Sequence, residues 1–122
     1  MGQKVLIADD EANIVMSLEF MLKRQGYEVL IARDGIEALD TIRRERPRLV
    51  LLDGMMPGLS GFEVCEAVRA DDSLNDTLIV MVTAKGRDTD KARGMGVGAN
   101  AYVVKPFSLK ELAEKVREMI GA

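Results

Sequence analysis

Five short apolar runs punctuate the chain, at 4–8, 28–32, 48–52, 78–82 and 101–104. Each is a nearly solid block of aliphatic residues, many of them β-branched. None shows the strict polar alternation of a strand with one wet face. Solid runs of this length predict strands buried on both faces, as in a parallel sheet. The segments between them carry a helical period. Ile14, Leu18, Met21 and Leu22 form one apolar stripe, closed by Gly26. Ile36, Leu39 and Ile42 form a second, closed by Pro47, and Phe62, Val64, Cys65 and Val68 mark a third. The segment after Arg87 predicts a poorer helix, weakened by Gly94, Gly96 and Gly98. Leu109, Leu112, Val116, Met119 and Ile120 form the final stripe, and Ser108 with Glu111 predicts a capping box at its start. Strand–helix alternation of this kind predicts an α/β fold with a parallel sheet and right-handed crossovers.

Composition narrows the chemistry. A length of 122 residues with 48% apolar content suits a single domain spanning 1–122 with one ample core. A net charge of −3 argues against a dedicated nucleic-acid binder. The chain has no histidine, which removes Ser-His and Cys-His catalysis, histidine metal ligation and phosphohistidine carriers together. A lone cysteine, Cys65, excludes an internal disulfide and a cysteine zinc cluster. No apolar run approaches the roughly 18 residues of a membrane span, and Met1-Gly2-Gln3-Lys4 leads straight into the first strand. A cytoplasmic protein without membrane contact is therefore expected.

The chemistry-bearing residues cluster at strand ends. Lys4–Ala8 runs into Asp9-Asp10, and Leu49–Leu52 runs into Asp53. Leu78–Val82 runs into Thr83, and Tyr102–Val104 runs into Lys105-Pro106. If these strands are parallel neighbours, their carboxyl ends share the sheet edge at which open α/β folds bind ligands. Three carboxylates, a hydroxyl and an ammonium would then meet in one crevice. Clustered carboxylates repel one another without a cation, so a hard divalent metal is expected there.

This ordered set resembles the receiver domain of two-component response regulators, including the chemotaxis regulators. Flanking residues carry the likeness further: Met55-Met56-Pro57-Gly58 with Gly61-Phe62-Glu63, then Thr83-Ala84, Gly98-Ala99 with Tyr102, and Lys105-Pro106-Phe107. The resemblance covers essentially the whole chain. It implies a flavodoxin-like doubly wound sheet in the order 2-1-3-4-5, a strand order that receivers are commonly used to illustrate. It implies that Asp53 is phosphorylated, and that Mg²⁺, with Mn²⁺ as an alternative, is held by Asp10, Asp53 and the Met55 backbone carbonyl, and through water by Asp9. Asp9, Thr83 and Lys105 take catalytic roles. Lys105 contacts the phosphoryl oxygens, and Thr83 with Tyr102 forms the switch. Pro106 is expected to follow a cis peptide bond, and Met55 and Lys85 are expected to modulate phosphoryl lifetime. The implied partners are a histidine kinase or phosphotransfer protein upstream, and a downstream protein or an output domain outside this chain. Direct nucleic-acid binding is not expected, and the domain is expected to be a monomer or a weak phosphorylation-dependent dimer. Asn100 and Ala101 stand where many DNA-binding relatives carry acids, which weakens the case for their symmetric dimer.

Other readings compete. An aspartyl-phosphate phosphohydrolase of the haloacid-dehalogenase type needs an acid two residues past its nucleophile, where this chain has Met55. A flavodoxin-like cofactor binder needs a phosphate loop where Asp9-Asp10-Glu11 would repel phosphate. A non-phosphorylated pseudo-receiver would not need every acid together with Thr83 and Lys105. The expected activity is thus a phosphoacceptor switch rather than a turnover enzyme. Gly54, after the acceptor, replaces the larger apolar residue usual in the family, and predicts a looser, more open pocket. The run Arg43-Arg44-Glu45-Arg46-Pro47-Arg48 reads as a solvated helix end with cations at the negative pole of the dipole.

Overall fold

The structure, a computed structural model, describes residues 3–84 and 96–121. Five strands, β1 (Lys4–Ala8), β2 (Glu28–Ala32), β3 (Leu49–Asp53), β4 (Leu78–Ala84) and β5 (Ala101–Lys105), form one sheet. Among the described residues the helices are α1 (Ala12–Arg24), α2 (Gly35–Glu45), α3 (Gly61–Arg69) and α4 (Leu109–Ile120), with a 3₁₀ turn at Asp72–Leu74. Every strand pair is parallel and the order is β2-β1-β3-β4-β5, as expected. Of the helix expected after Arg87, residues up to 95 lie outside the described residues; Gly96 is helical and 97–98 form a turn.

Two-sided burial explains the solid apolar runs. Leu6, Ala8, Val50, Leu52, Ile79 and Met81 face one side and pack with Ala38 and Ile42 of α2 and Phe62, Val64, Cys65 and Val68 of α3. Val5, Ile7, Leu49, Leu51 and Val80 face the other and pack with Val15, Leu18 and Leu22 of α1 and Leu112 and Val116 of α4. The inner strands β1, β3 and β4 are almost wholly buried, while the edge strands β2 and β5 are half-buried.

Some local expectations change. Spacing predicts Ile36 on the buried stripe of α2, but it is 64% exposed; Gly35, Ala38, Thr41 and Ile42 form the buried face instead. Ser108 Oγ accepts from the Glu111 N–H at 3.2 Å, but the reciprocal arm of the expected box is absent among the described residues. A full capping box forms at α3, where Ser60 and Glu63 satisfy each other's backbone N–H. The basic run is also more than a solvated helix end. Arg46 donates to the Ser73 carbonyl at 2.9 Å and Arg48 to the Asp76 carbonyl at 3.2 Å, tying the segment before β3 to the segment before β4. Asn100 has a structural task as well. Its Oδ1 accepts from the Ile79 N–H at 2.8 Å and from Arg69 Nη2 at 2.6 Å, pinning the approach to β5 against β4 and α3.

Candidate functional site

The register brings the predicted strand ends to one edge. Ala8 pairs with Leu52, Asp53 with Val82, and Ala84 with Lys105, so Asp9, Asp53, Thr83 and Lys105 emerge from adjacent strands. Asp9, Asp10 and Asp53 each offer a carboxylate oxygen, and these lie within 4.8 Å of one another. Asp9 and Asp53 are buried and Asp10 is exposed, so the cluster has a floor and an open side.

Backbone groups and one cation hold the two buried acids. Asp9 Oδ1 accepts from the Glu11 N–H at 2.9 Å, and Asp53 Oδ1 accepts from the Met55 N–H at 3.1 Å. The Lys105 ammonium lies 3.1 Å from Asp9 Oδ2, 3.6 Å from Asp53 Oδ2 and 2.8 Å from Glu11 Oε1. The Lys105–Pro106 peptide bond is cis. Burial pushes the Asp53 carboxyl up to about 6; the Met55 N–H opposes this, the Asp9 charge adds to it, Lys105 opposes it and Asp10 adds again. For Lys105, burial acts to lower the pKa, but the Glu11 hydrogen bond and the charges of Asp53 and Asp9 hold it at about 12. A fixed cation therefore sits beside a carboxylate that is poorly accommodated as an anion.

The donor set fits a hard divalent cation. Oxygen ligands from three acids, one of them solvent-facing, suit an ion that keeps several waters. Lys105 alone leaves the cluster with excess negative charge, and a divalent ion would relieve it.

Thr83 is 1% exposed at the end of β4. Tyr102 pairs with Met81, so Tyr102 and Thr83 project to the same face of the sheet. Tyr102 is half-buried against the core on that face. The Met55 side chain is 53% exposed at the site's rim. Lys85 lies outside the described residues.

The expectation that Gly54 opens the pocket is overturned. A Cβ built on Gly54 would sit 3.0 Å from the Phe62 ring, and Phe62 is 1% exposed, so the aromatic already fills that space. Gly61 allows this arrangement, because a Cβ there would collide with the Asp53 carbonyl. Gly54→Val should destabilise the protein by roughly 1–3 kcal/mol through overpacking. Adding Phe62→Leu should recover part of that loss, as read by urea unfolding. Additive losses would show that the ring does not compete for the space.

A concave surface does not by itself locate these acids. A groove of about 530 Å³ is lined by Phe20, Arg24, Leu109, Ala113 and Arg117 of α1 and α4, and by none of the converging acids.

Comparison with known proteins agrees with the geometry. The family model for the response regulator receiver domain matches residues 5–117. A candidate response regulator from Chloroflexus aurantiacus J-10-fl is 34% identical, with all of both chains covered and a TM-score of 0.94. The receiver domain of the sensor histidine kinase PA1611 from Pseudomonas aeruginosa, solved with magnesium coordinated in its active-site cleft, is 30% identical over all of both chains, with a TM-score of 0.91. The chemotaxis response regulator CheY4 of Vibrio cholerae is 34% identical over 98% of this chain and 99% of its own, with a TM-score of 0.90.

Proposed function

Because the chain belongs to the response regulator receiver family, we propose that it is a Mg²⁺-dependent phosphoacceptor whose Asp53 carboxylate takes the phosphoryl group. The observation that carries this reading is the convergence of Asp9, Asp10 and Asp53 with the Lys105 ammonium on one sheet edge. Asp53 Oδ2 forms the new O–P bond while the donor's bond to phosphorus breaks, and its electron pair leaves with the donor. The Met55 N–H steadies Oδ1, which leaves Oδ2 toward Lys105 as the attacking oxygen. The Lys105 ammonium stabilises charge on the transferring group. Mg²⁺ held by Asp10, Asp53 and the Met55 carbonyl, and through water by Asp9, would neutralise charge between acceptor and donor. The magnesium in the related Pseudomonas aeruginosa receiver supports this choice of ion.

A phosphoryl oxygen on Asp53 then offers Thr83 a charge-assisted hydrogen bond. Thr83 and Tyr102 share a face of the sheet, so movement at Thr83 bears on Tyr102 and on the surface of β5 and α4. A groove of about 320 Å³ there, lined by Tyr102, Val104, Pro106, Phe107, Glu111 and Lys115 among others, is a suitable seat for a downstream protein. The upstream partner is a histidine kinase or phosphotransfer protein. Met55, two residues past Asp53, has no proton to transfer, so the domain acts as a switch rather than as a phosphohydrolase. No helix among the described residues is long and apolar enough to cross a membrane.

Incubation with acetyl phosphate and Mg²⁺ should add one phosphoryl group to the intact mass, and a chelator should prevent it. Steady turnover of a generic phosphate ester without a mass increase would favour the phosphohydrolase.

A further inference from the structure

We infer that Glu11 is a positioning residue that holds the Lys105 ammonium at the outer side of the site, in competition with the incoming phosphoryl group. The inference rests on the phosphoacceptor reading above and adds a residue that sets its rate. Helices α2, α3 and α4 each begin with a side chain that accepts a backbone N–H of the first turn: Asp34, Ser60 and Ser108 respectively. Glu11 occupies the same position before α1 and makes no such bond. Its Oε1 instead takes the Lys105 ammonium at 2.8 Å, across 94 residues of sequence.

The distances rank the partners of Lys105. Glu11 is at 2.8 Å, Asp9 at 3.1 Å and Asp53 at 3.6 Å, so Asp53 is the acid held least closely. Asp9 reinforces the arrangement, since its Oδ1 accepts the Glu11 N–H while its Oδ2 faces Lys105. The Glu11 side chain is 59% exposed, so losing this contact returns its carboxylate to water at little cost. An ammonium has three donors. While one is committed to Glu11 on the outer side, a phosphoryl oxygen on Asp53 must draw the charge inward against that bond. Glu11 therefore raises the barrier to phosphoryl uptake, and it is released when Lys105 turns to the product.

Glu11→Gln and Glu11→Asp separate this contact from simple charge. Glutamine removes the charge; aspartate keeps it but is one methylene shorter and cannot hold Lys105 from the same backbone. With saturating Mg²⁺ and acetyl phosphate, both variants should gain the phosphoryl group roughly two- to fivefold faster than the parent, the range available to an exposed ion pair. In the chelated proteins, the Lys105 ammonium should exchange its protons with water faster in both variants than in the parent, as seen in ¹H–¹⁵N spectra. An accelerated glutamine variant beside a parent-like aspartate variant would overturn the inference in favour of long-range charge repulsion. Slower uptake in both variants would also overturn it, and would mean that Glu11 supports the productive position of Lys105. A parent protein that gains no phosphoryl group at all would instead refute the phosphoacceptor reading.

Discussion

Lys105→Met should lower the stability of the chelated protein at neutral pH by about 2 kcal/mol and cut phosphoryl uptake by about 100-fold or more. The ammonium lies within 3.6 Å of Asp9, Asp53 and Glu11, and two of these acids are nearly inaccessible to water. Removing it strands two buried carboxylates. Breaking a fully buried pair costs about 3–5 kcal/mol; the loss here is smaller because the Lys105 side chain keeps 15% exposure and Glu11 is largely solvated. The same substitution leaves the acids more negative, so Mg²⁺ should bind more tightly and restore more stability than it does in the parent. Urea unfolding with chelator and with Mg²⁺ measures both effects. Equal loss of stability in the two conditions would show that methionine disturbs packing rather than charge.

Asp53→Asn should have the opposite sign. Burial, foremost among the influences on Asp53, pushes its carboxyl up to about 6 from an unfolded value near 3.8. The native state therefore binds this proton more tightly than the unfolded chain does. The stability that proton contributes is complete below about pH 4 and is lost as pH rises through about 6. At pH 7 the ionised Asp53 burdens the chelated protein, and asparagine removes the burden. A gain on the order of 1 kcal/mol is expected at pH 7, shrinking towards nothing below about pH 4. Added Mg²⁺ should stabilise the parent more than the variant, because asparagine removes the charge of one of the three clustered carboxylates. Melting curves across pH, with and without the ion, test this. A variant advantage that grows as pH falls would mean that Asp53 is not the strained acid.

Much of the fold is legible in the sequence because parallel strands buried on both faces must be written as solid apolar blocks. The order of the four strand ends is legible too, since acids, hydroxyl and lysine each directly follow such a block. What the sequence hides depends on contacts between distant segments. Ile36 has the right spacing for the buried stripe of α2, yet its exposure is set by where α2 lies against β1, β2 and α3. Gly54 alone looks like lost bulk, and only the approach of Phe62, permitted by Gly61, shows the space to be filled. Ser60 with Glu63 has the spacing of a capping box in plain view, but the glycines around it suggest only a loop. Glu11 in sequence is simply a charge hostile to phosphate. Its pairing with Lys105 requires β1 and β5 to end on the same edge of the sheet.

The central claim is that Asp53 carries the phosphoryl group. An aspartyl phosphate is an acyl phosphate, so borohydride reduces it to an alcohol and leaves homoserine in the chain. The protein should be treated with acetyl phosphate and Mg²⁺, reduced, digested and sequenced by mass spectrometry. Homoserine at position 53, absent when chelator replaces Mg²⁺, is the expected result. Homoserine at Asp9 or Asp10, or an unmodified Asp53 in protein that has gained the phosphoryl mass, would contradict it.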